Sequence, residues 1–440
     1  MPLKFFCLIL LVASTLSASE WPQFRGPNGD GIAPAGKAPT KWSETEGITW
    51  KTPLPGKGWS SPVEADGKLW ITTAIEDRPS EEEMLKIFER AGTDPKKIKQ
   101  LQVVKGIQLL LLVVDLKSGE LVATKELIRV AEPEPIHGFN SYSSPTPYID
   151  GEFIYCHFGT YGTVCLKRSD LSVVWKRSLP LEHSVGPGSS PFIDDNRLVL
   201  ICDGCDRQYV TALDKYTGET LWEVDRPEMD APDGDRKKAF DTPIAVTDKS
   251  GRKQLICMGS QWLVSYAPET GKELWKVYHG KGFSVVPRPV VHDDVVYIST
   301  GFGKAQLWAV RIDGEGDVTD SHVAWTVARG IPTKPSPIVF DDAVFVIEDK
   351  GVGSCFDTKS GEILWQERIS GNYSASPLLA DGKVYICSEE GKTTVFKPGR
   401  AYEEITVNEL NGRIMASPIL VDDALFIRTD EALYRIDAES

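Results

Sequence analysis

The sequence predicts an all-β fold: an eight-bladed β-propeller built from four-stranded antiparallel blades. A short phrase recurs along the chain, because residues 212–222 (ALDKYTGETLW) are echoed at 265–275 and 355–365. A second marker, a proline that begins an apolar strand, occurs eight times, and the two ends of the chain carry incomplete and complementary copies of the repeat. Four strands recurring every ~40–50 residues are typical of propeller blades.

The recurring phrase has the chemistry of a tight hairpin. Gly218, Gly271 and Gly361 fall where the turn needs a positive φ, which glycine adopts freely. The tryptophan four residues later can pack over the turn of the next repeat while its indole N–H reaches a carbonyl. Looser copies lie at 113–123, 165–175 and 309–325. We assign a structural docking role to Trp50, Trp175, Trp222, Trp275, Trp325 and Trp365.

The proline marker begins the first strand of each repeat. Proline suits this place because its missing N–H does least harm at the start of a strand. An Asp-Gly or Asp-Asp turn and a second strand usually follow, as in residues 378–386 (LLADGKVYI). The eight copies carry the prolines Pro62, Pro145, Pro191, Pro243, Pro289, Pro337, Pro377 and Pro418.

The two ends of the chain complete one blade between them. The final copy, 416–440, has three strands, and the isolated strand 48–52 supplies the fourth. An open solenoid or a pair of sandwiches would leave both ends unpaired, so we expect a ring closed by the N-terminal strand. Trp50 is then expected to be largely buried, and Trp21, outside the blades, to contribute less to stability.

The chain divides into three parts. Residues 1–19 have the basic start, short apolar run and small-residue end of a cleaved signal peptide, residues 20–46 form an irregular arm, and residues 47–440 form the propeller. Cys7 lacks the small-residue context of a lipidation site. No apolar run after residue 19 is long enough to span a membrane, so we expect an exported protein without a transmembrane segment.

Three insertions interrupt the repeats. Residues 75–107 fall within blade one and carry a capping box, Ser80 and Glu83, so one or two short helices are expected there. Segments 227–238 and 313–321 are rich in Pro, Gly and Asp and are expected to be loops.

The net charge limits the possible partners, and the cysteine content indicates the state of the thiols. The formal net charge is −14, which disfavours nucleic acid and anionic membranes as partners. We expect most of the seven cysteines beyond residue 19 to be buried and reduced. The spacing of Cys202 and Cys205 leaves three alternatives open: a strained disulfide, a redox pair or half of a metal site.

The phrase at 212–222 resembles the tryptophan-docking repeat of the pyrroloquinoline-quinone (PQQ) propellers. This superfamily contains quinoprotein dehydrogenases and the propeller lipoprotein of the bacterial outer-membrane protein assembly machinery. Many secreted bacterial propellers are also similar, including their Trp-Pro-x-Phe-Arg-Gly opening, here at 21–26. The resemblance covers residues 47–440 and implies the propeller fold.

The resemblance also implies a cofactor for the enzymes of the superfamily. Those dehydrogenases hold the quinone beside two adjacent cysteines and bind Ca²⁺ through Glu, Asn and Asp. This chain has no Cys-Cys dipeptide, and the calcium ligands cannot be placed residue by residue. PQQ and Ca²⁺ therefore belong only to an alternative interpretation of this protein.

Candidate site residues come from loops that share one face around the channel of a propeller. The loops that lead into the first strands are rich in aromatic and basic residues, which suit an anionic ligand or a peptide carboxylate on so acidic a protein. The predicted ligand-binding residues are Trp59, Tyr142, Phe240, Phe283, Arg288, Lys334, Tyr373 and Arg413.

A second set of loops, between the second and third strands, opens on the same face. Its members include His157, Tyr161, Asp203, Arg207, Gln261, Trp262, Lys304, Glu348, Asp349, Glu389, Glu390 and Asp430. Carboxylates at 348–349 and 389–390 suit either a Ca²⁺ site or a solvated acidic rim. His137 and His183 are candidate bases, but no acid or nucleophile is paired with them in the sequence.

We therefore expect an exported, non-catalytic, monomeric propeller that binds a protein partner or a small ligand on its channel face in the bacterial cell envelope. No catalytic and no metal-binding residue is assigned. The alternative is a divergent PQQ-dependent quinoprotein dehydrogenase. A third interpretation is a scaffold for envelope assembly that binds no small ligand.

Overall fold

The computed structural model describes residues 20–90, 92–93 and 96–439. In these residues, eight sheets, seven of four strands and one of five, confirm the eight-bladed β-propeller. The signal peptide predicted for residues 1–19 lies outside the described residues. None of the described helices is long and apolar enough to cross a membrane.

Each blade contains four antiparallel strands, numbered here from the channel outward. Blade 1 contains Val63–Ala65, Lys68–Asp77, Gly106–Asp115 and Leu121–Ala131, and blade 2 contains Tyr148–Asp150, Phe153–His157, Thr163–Lys167 and Val173–Arg177. Blade 3 contains Phe192–Asp194, Arg197–Asp203, Gln208–Asp214 and Thr220–Asp225, and blade 4 contains Ile244–Thr247, Lys253–Met258, Trp262–Tyr266 and Glu273–Tyr278. Blade 5 contains Val290–His292, Val295–Ser299, Leu307–Arg311 and Val323–Val327, and blade 6 contains Ile338–Phe340, Ala343–Ile347, Val352–Asp357 and Ile363–Arg368. Blade 7 contains Leu378–Ala380, Lys383–Cys387, Lys392–Phe396 and Glu404–Glu409, and blade 8 contains Ile419–Val421, Ala424–Arg428, Ala432–Asp437 and Ile48–Pro53.

The N-terminal strand closes the ring, as predicted. Ile48–Pro53 pairs antiparallel with Ala432–Asp437, and Lys51 lies opposite Tyr434. Blade 8 thereby joins the two ends of the propeller, so the outer edge of its third strand is paired.

The tryptophans of the outer strands lie against the following blade. The ring of Trp175 packs over Gly218, where an added Cβ would lie 2.8 Å from the ring, and its indole N–H donates to the Lys215 carbonyl at 2.9 Å. Trp50, Trp222, Trp325 and Trp365 donate in the same way to the carbonyls of Leu116, Pro268, Thr358 and Gly399.

Trp275 differs from the other five tryptophans. Its indole N–H donates to Gln254 Oε1 at 2.7 Å, within its own blade. A short strand, Gly316–Asp317, adds to blade 4 in parallel and covers Trp275. The expectation that 313–321 is only a loop is therefore wrong at these two residues.

The insertion in blade one contains the predicted helix, Glu81–Arg90. The capping box is formed, because the Ser80 N–H donates to Glu83 Oε2 at 2.8 Å and the Glu83 N–H to Ser80 Oγ at 3.4 Å. The flanking strands extend to Asp77 and from Gly106, so the insertion is shorter than 75–107. Smaller elements are the 3₁₀ turns Ile98–Gln100, Gly159–Tyr161 and Gly234–Arg236, and the paired segments Leu101–Gln102 and Ile136–His137.

The arm, residues 20–46, runs through the channel. Trp21 forms a bridge with Glu64 in the first strand of blade 1, and Arg25 Nη2 donates to the Pro337 carbonyl in blade 6. The chain then pairs Ile32 with Leu379 in blade 7. Because first strands line the channel of a propeller, the arm closes this channel from within.

The two N-terminal tryptophans differ in burial. Trp21 is 1% exposed and packs in the largest hydrophobic cluster, with Gly26 against its ring. Trp50 is only partly buried. The sequence predicts a largely buried Trp50, and the structure shows a partly buried side chain that is more exposed than Trp21, because the channel encloses the arm whereas Trp50 lies on the outer strand of its blade.

Candidate functional site at the channel mouth

One residue from each blade, directly before the proline that begins the first strand, lies at the same level of the channel. We call these eight residues the channel ring. Seven of them carry a hydroxyl group, and the eighth is an arginine. The members in blade order are Ser61, Thr146, Ser190, Thr242, Arg288, Ser336, Ser376 and Ser417.

Hydrogen bonds join neighbouring members of the channel ring. The Ser61 N–H donates to Thr146 Oγ1 at 3.0 Å, and the same link from backbone N–H to the next hydroxyl oxygen recurs around the channel. The further links leave from Thr146, Ser190, Arg288, Ser336, Ser376 and Ser417. The described bonds contain no link from Thr242 to blade 5, because Arg288 offers no hydroxyl oxygen.

The ring corrects the register of the sequence marker in blade 2. The sequence marker there was placed at Pro145, but the residue that joins the ring is Thr146, before Pro147. The Ser143 and Ser144 hydroxyls lie outside the ring. Two Xaa-Pro pairs so close together cannot be ranked from the sequence alone.

Arg288 is not the exposed cation that the sequence suggested. It is 1% exposed, and its guanidinium donates to the carbonyls of Phe24 and Pro243 and to Gln23 Oε1, at 2.6, 2.8 and 3.1 Å. Burial lowers the pKa of Arg288 to about 10. Gly29 packs against the guanidinium, where a Cβ would lie 2.4 Å from Nη1. Arg288 therefore holds the arm and does not face the channel mouth.

A cavity of about 640 Å³ lies on the channel ring. All seven ring hydroxyl residues line it, and Phe24 of the arm closes it from below. Its volume is that of a typical ligand pocket. Aromatic side chains from different blades and loops form its walls, namely Trp59, Phe139, Phe240, Phe283 and Phe302.

Phe139 reaches across the cavity from the loop that precedes blade 2. Its ring is 54% exposed, although Lys334 Nζ lies 5.5 Å and Arg413 Cζ 5.0 Å from the ring centre. The two cations are joined by Glu389, which accepts from Lys334 at 3.0 Å, from Arg413 at 2.6 Å and from Ser374 Oγ at 2.6 Å. Side chains from blades 6, 7 and 8 therefore meet beside the exposed ring of Phe139.

Electrostatics at the cavity wall depend on these contacts. Burial works to raise the pKa of Glu389, but hydrogen bonds from Ser374 and Arg413 and the charge of Lys334 outweigh it and lower this pKa. The pKa of His137, which also lines the cavity, is lowered by burial and by the charges of Lys238 and Lys334.

The predicted ligand-binding residues divide into three groups. Trp59, Phe240, Phe283 and Lys334 line the cavity, and Arg413 is joined to Lys334 through Glu389. Tyr142 and Tyr373 are almost fully buried, and their hydroxyls donate to the carbonyls of Glu134 and Ser370. Arg288, as described above, lies beneath the ring.

The second set of loop residues mostly serves the fold. Asp203 forms a buried ion pair with Arg226, His157 bonds to Thr163 within blade 2, and His183 Nε2 accepts from the Thr160 N–H. Tyr161 packs on Tyr142, and Arg207 pairs with Glu223 and Asp225. The side chains of Gln261 and Trp262 donate to carbonyls of the 227–238 loop. Glu390 accepts from the Asn372 N–H, and Asp430 accepts from the Arg413 N–H.

Asp349 is the acid of this second set that lines the cavity, and Thr333 bonds to its carboxylate. Lys304 is exposed, and Glu348 accepts from the N–H of the exposed Lys350. Within the described chain, no group of three or more His, Cys, Asp or Glu residues is placed to hold a metal ion. The carboxylates at 348–349 and 389–390 are instead engaged by hydroxyls, amides and cations.

The residues at the cavity do not fit the quinone and Ca²⁺ set that the fold family implies. Cys202 is buried in the second strand of blade 3, and Cys205 Sγ lies 3.6 Å from Asp235 Oδ1. Neither cysteine lines the cavity, and both are unpaired thiols, as are the other five described cysteines. We derive no reaction step through such a group.

Sequence reasoning missed the residues that define the cavity most directly. Phe139 and Phe302 are exposed wall residues, and Phe24 closes the floor. The ring hydroxyls were detectable, because each directly precedes a proline at a repeated position. The aromatic residues carry no repeated spacing, so the sequence alone offered no signal for them.

Comparison with known proteins connects this geometry to a family. The family model described as outer membrane protein assembly factor BamB matches residues 110–303 and 206–440. A curated relative, the outer membrane protein assembly factor BamB of Yersinia pestis, is 28% identical over 204 residues, which are 42% of this chain and 48% of that protein. This chain thus matches about half the length of that relative.

Solved structures share the fold at low sequence identity. BamB from Moraxella catarrhalis superposes with a TM-score of 0.53 and 14% identity, covering 76% of this chain and 99% of that one. A europium-containing methanol dehydrogenase gives 0.63 and 9%, covering 94% and 89%. The quinohemoprotein alcohol dehydrogenase of Comamonas testosteroni gives 0.62 and 10%, covering 96% and 81%.

These structural likenesses establish the fold alone, whereas the family model spans most of the propeller. The chain belongs to the family described as outer membrane protein assembly factor BamB.

Proposed function

We propose that this protein is an exported, non-catalytic propeller of the bacterial cell envelope that binds a protein partner in the cavity at its channel mouth. The observation that carries the proposal is the cavity itself, in which exposed aromatic rings surround a hydroxyl-lined floor. Aromatic side chains that remain exposed around a concave site are typical of surfaces that bind proteins. The family description, which names an assembly factor for outer membrane proteins, supports a protein as the partner.

The chemistry of the cavity favours binding over catalysis. His137 is the histidine in the wall, and its Nδ1 is engaged by the Phe139 N–H at 3.2 Å. The carboxylate of Asp349 accepts from the N–H and the hydroxyl of Thr333, so both side chains are already engaged by neighbouring groups of the protein.

Photo-crosslinking tests the proposal. Benzoyl-phenylalanine replaces Phe139 or Phe302, which are exposed at the cavity, and Leu221, which is 45% exposed on the outer strand of blade 3, serves as the matched control. Irradiation of cells should give a discrete protein adduct at Phe139 and Phe302 that is absent at Leu221. Adducts at Leu221 alone would assign the partner to the outer surface.

The dehydrogenase alternative has its own decisive measurement. The purified protein is mixed with PQQ and Ca²⁺, and dye-linked alcohol oxidation is followed. Stoichiometric uptake of the quinone with turnover would replace the binding proposal by the enzymatic one.

A further inference from the structure

The ring hydroxyls leave a set of hydrogen-bond donors facing the cavity. Each of Ser61, Thr146, Ser190, Thr242 and Ser417 uses its oxygen to accept a backbone N–H from the ring. In the part of the chain that the structure describes, none of these five O–H groups has an acceptor within hydrogen-bond distance. All five are more than nine-tenths buried, and all line the cavity floor.

These five donors come from consecutive blades. They belong to blades 8, 1, 2, 3 and 4, so they form an arc around one side of the channel. A hydroxyl has one O–H to donate, and a carboxylate offers about four lone-pair positions on two oxygens. Hydrogen bonds to an ionised acceptor are roughly twice as strong as those between neutral groups. An arc of unpaired donors therefore fits a carboxylate better than a neutral acceptor.

The floor of the cavity is closed. Phe24 lies at the bottom, and the arm below it is fixed by the contacts of Arg25 and Arg288. A polypeptide therefore cannot pass through the channel, and a protein partner reaches the hydroxyl arc with a side chain, a turn or a chain end. The aromatic side chains above the floor favour apolar residues next to a carboxylate bound on the arc.

The charges at the mouth do not oppose an anion, although the whole protein is acidic. Lys334 and Arg413 lie beside the cavity and share Glu389 as their counter-ion, and the charges of Lys238 and Lys334 help to lower the pKa of His137. The acid in the wall, Asp349, lies 3.9 Å from Lys334 Nζ and is bonded by Thr333. Local charge at the cavity is therefore at least balanced.

We infer that the cavity binds the C-terminal carboxylate of its protein partner, with the carboxylate on the hydroxyl arc and the last apolar side chains between the aromatic rings. This inference rests on the proposed function. It adds which part of the partner is recognised and which groups recognise it.

The first experiment varies the ligand and leaves the protein unchanged. Two pools of heptapeptides, randomised at their last three positions, are passed over the immobilised protein, one pool as free acids and the other as C-terminal amides. The free-acid pool should be retained and should be enriched in peptides that end in aromatic or large aliphatic residues. By fluorescence anisotropy, the best sequence should bind about tenfold more weakly as its amide.

The second experiment varies the floor. Thr146→Val together with Thr242→Val keeps the shape of both side chains and removes two donors, so the acid and the amide should differ by about twofold or less. The valines also remove the oxygens that accept the Ser61 and Ser190 N–H groups, so an unchanged melting temperature is required to show that the ring persists. The matched control is Ser144→Ala, which removes a cavity hydroxyl that already donates to Asn140 Oδ1 at 2.6 Å. The control should keep the tenfold preference for the acid.

The outcomes separate this inference from the proposed function. Equal retention of acids and amides, or no retention of either pool, overturns the inference, while adducts at Phe139 and Phe302 would still sustain protein binding at the cavity. Loss of both the retention and the adducts overturns both. Displacement of the best peptide by 3-phenylpropionate at comparable affinity would mean a free small carboxylate and would also overturn the inference.

Discussion

Glu64 shows how a single buried group sets a pH dependence. It lies in the first strand of blade 1, is 3% exposed, and accepts one bond, from the Gly67 N–H at 2.9 Å. Its second oxygen, Oε2, is buried without a partner in the described chain. Burial therefore raises the pKa of Glu64 to about 7, and nearby acids add to the effect. The folded protein favours the protonated form.

The sign of the effect on stability follows directly. Below the ordinary pKa of a glutamate, Glu64 is protonated in both the folded and the unfolded protein. As the pH rises towards about 7, the unfolded protein releases this proton while the folded protein keeps it, so the free energy of unfolding falls. Glu64→Gln should match the wild type near pH 4.5 and exceed its stability at pH 8 by about 2 kcal/mol, less than the full shift because the exposed turn at Gly67 admits solvent. Urea unfolding at both pH values measures this difference.

The test compares the free energy of unfolding of the wild type with that of Glu64→Gln, because buried histidines change the stability of each protein with pH in the opposite sense. Burial lowers the pKa of His157 to about 3 and those of His183 and His279 to about 4, so their contribution is lost as pH falls. They are common to both proteins and cancel. A stability gap that does not change with pH would contradict the burial of an ionisable Glu64.

The two N-terminal tryptophans give a second prediction for single residues. Trp21→Ala should cost about 3–5 kcal/mol, because it empties a buried site in the largest cluster. Trp50→Ala should cost about 1–3 kcal/mol, because its side chain is only partly buried. Denaturant midpoints of both variants decide the order, and a larger cost at Trp50 would contradict the described path of the arm.

At the scale of elements, the closing strand Ile48–Pro53 covers the edge of blade 8. Deleting residues 20–54 should expose this edge and the channel, so the truncated protein should associate and form larger particles than the full protein in light scattering. The control replaces residues 79–104 of the blade 1 insertion with a short Gly-Ser turn. That variant should remain folded, since its removal leaves every blade with four strands. If the truncated protein has a molar mass in light scattering that corresponds to a single chain, closure of the ring by this strand is contradicted.

The arm is a second element with a testable anchor. Arg288→Ser gives the blade 5 position of the channel ring the hydroxyl that the other seven positions carry, but removes two bonds to the arm and one to the Pro243 carbonyl. Trypsin should then cut after Arg25 about tenfold faster, because local opening of the arm costs less. Arg413→Ser is the control, since Arg413 contacts the cavity and not the arm. Equal protection in both variants would place the anchor elsewhere.

For the whole molecule, the cysteines report on global unfolding. Six of the seven described thiols are buried, Cys205 is half-buried, and burial raises the pKa values of Cys202 and Cys257 to about 12. Native protein lacking residues 1–19 should therefore react slowly with a thiol reagent, with one equivalent first. Denaturation without reductant should release all seven, and Cys205→Ser should remove the early equivalent. Three disulfides in mass spectrometry would contradict this.

The sequence by itself determined the architecture of the propeller. The eight blades, the turn glycines such as Gly218 and the closing strand at 48–53 all follow from short repeated phrases. These features depend on contacts within a hairpin or between neighbouring blades, which recur at fixed spacing. A repeated local interaction leaves a repeated pattern of residue types, and that pattern is legible without coordinates.

Only the tertiary structure decided the arm and the site. Arg288 bonds to Phe24 and Gln23 across 264 and 265 residues, and this contact turns an apparent surface cation into a buried anchor. The cavity likewise joins Phe139, Lys334 and Arg413, which no repeat relates to one another. Whether a charge is exposed depends on what covers it, and a cover that occurs once in the chain leaves no period in the sequence.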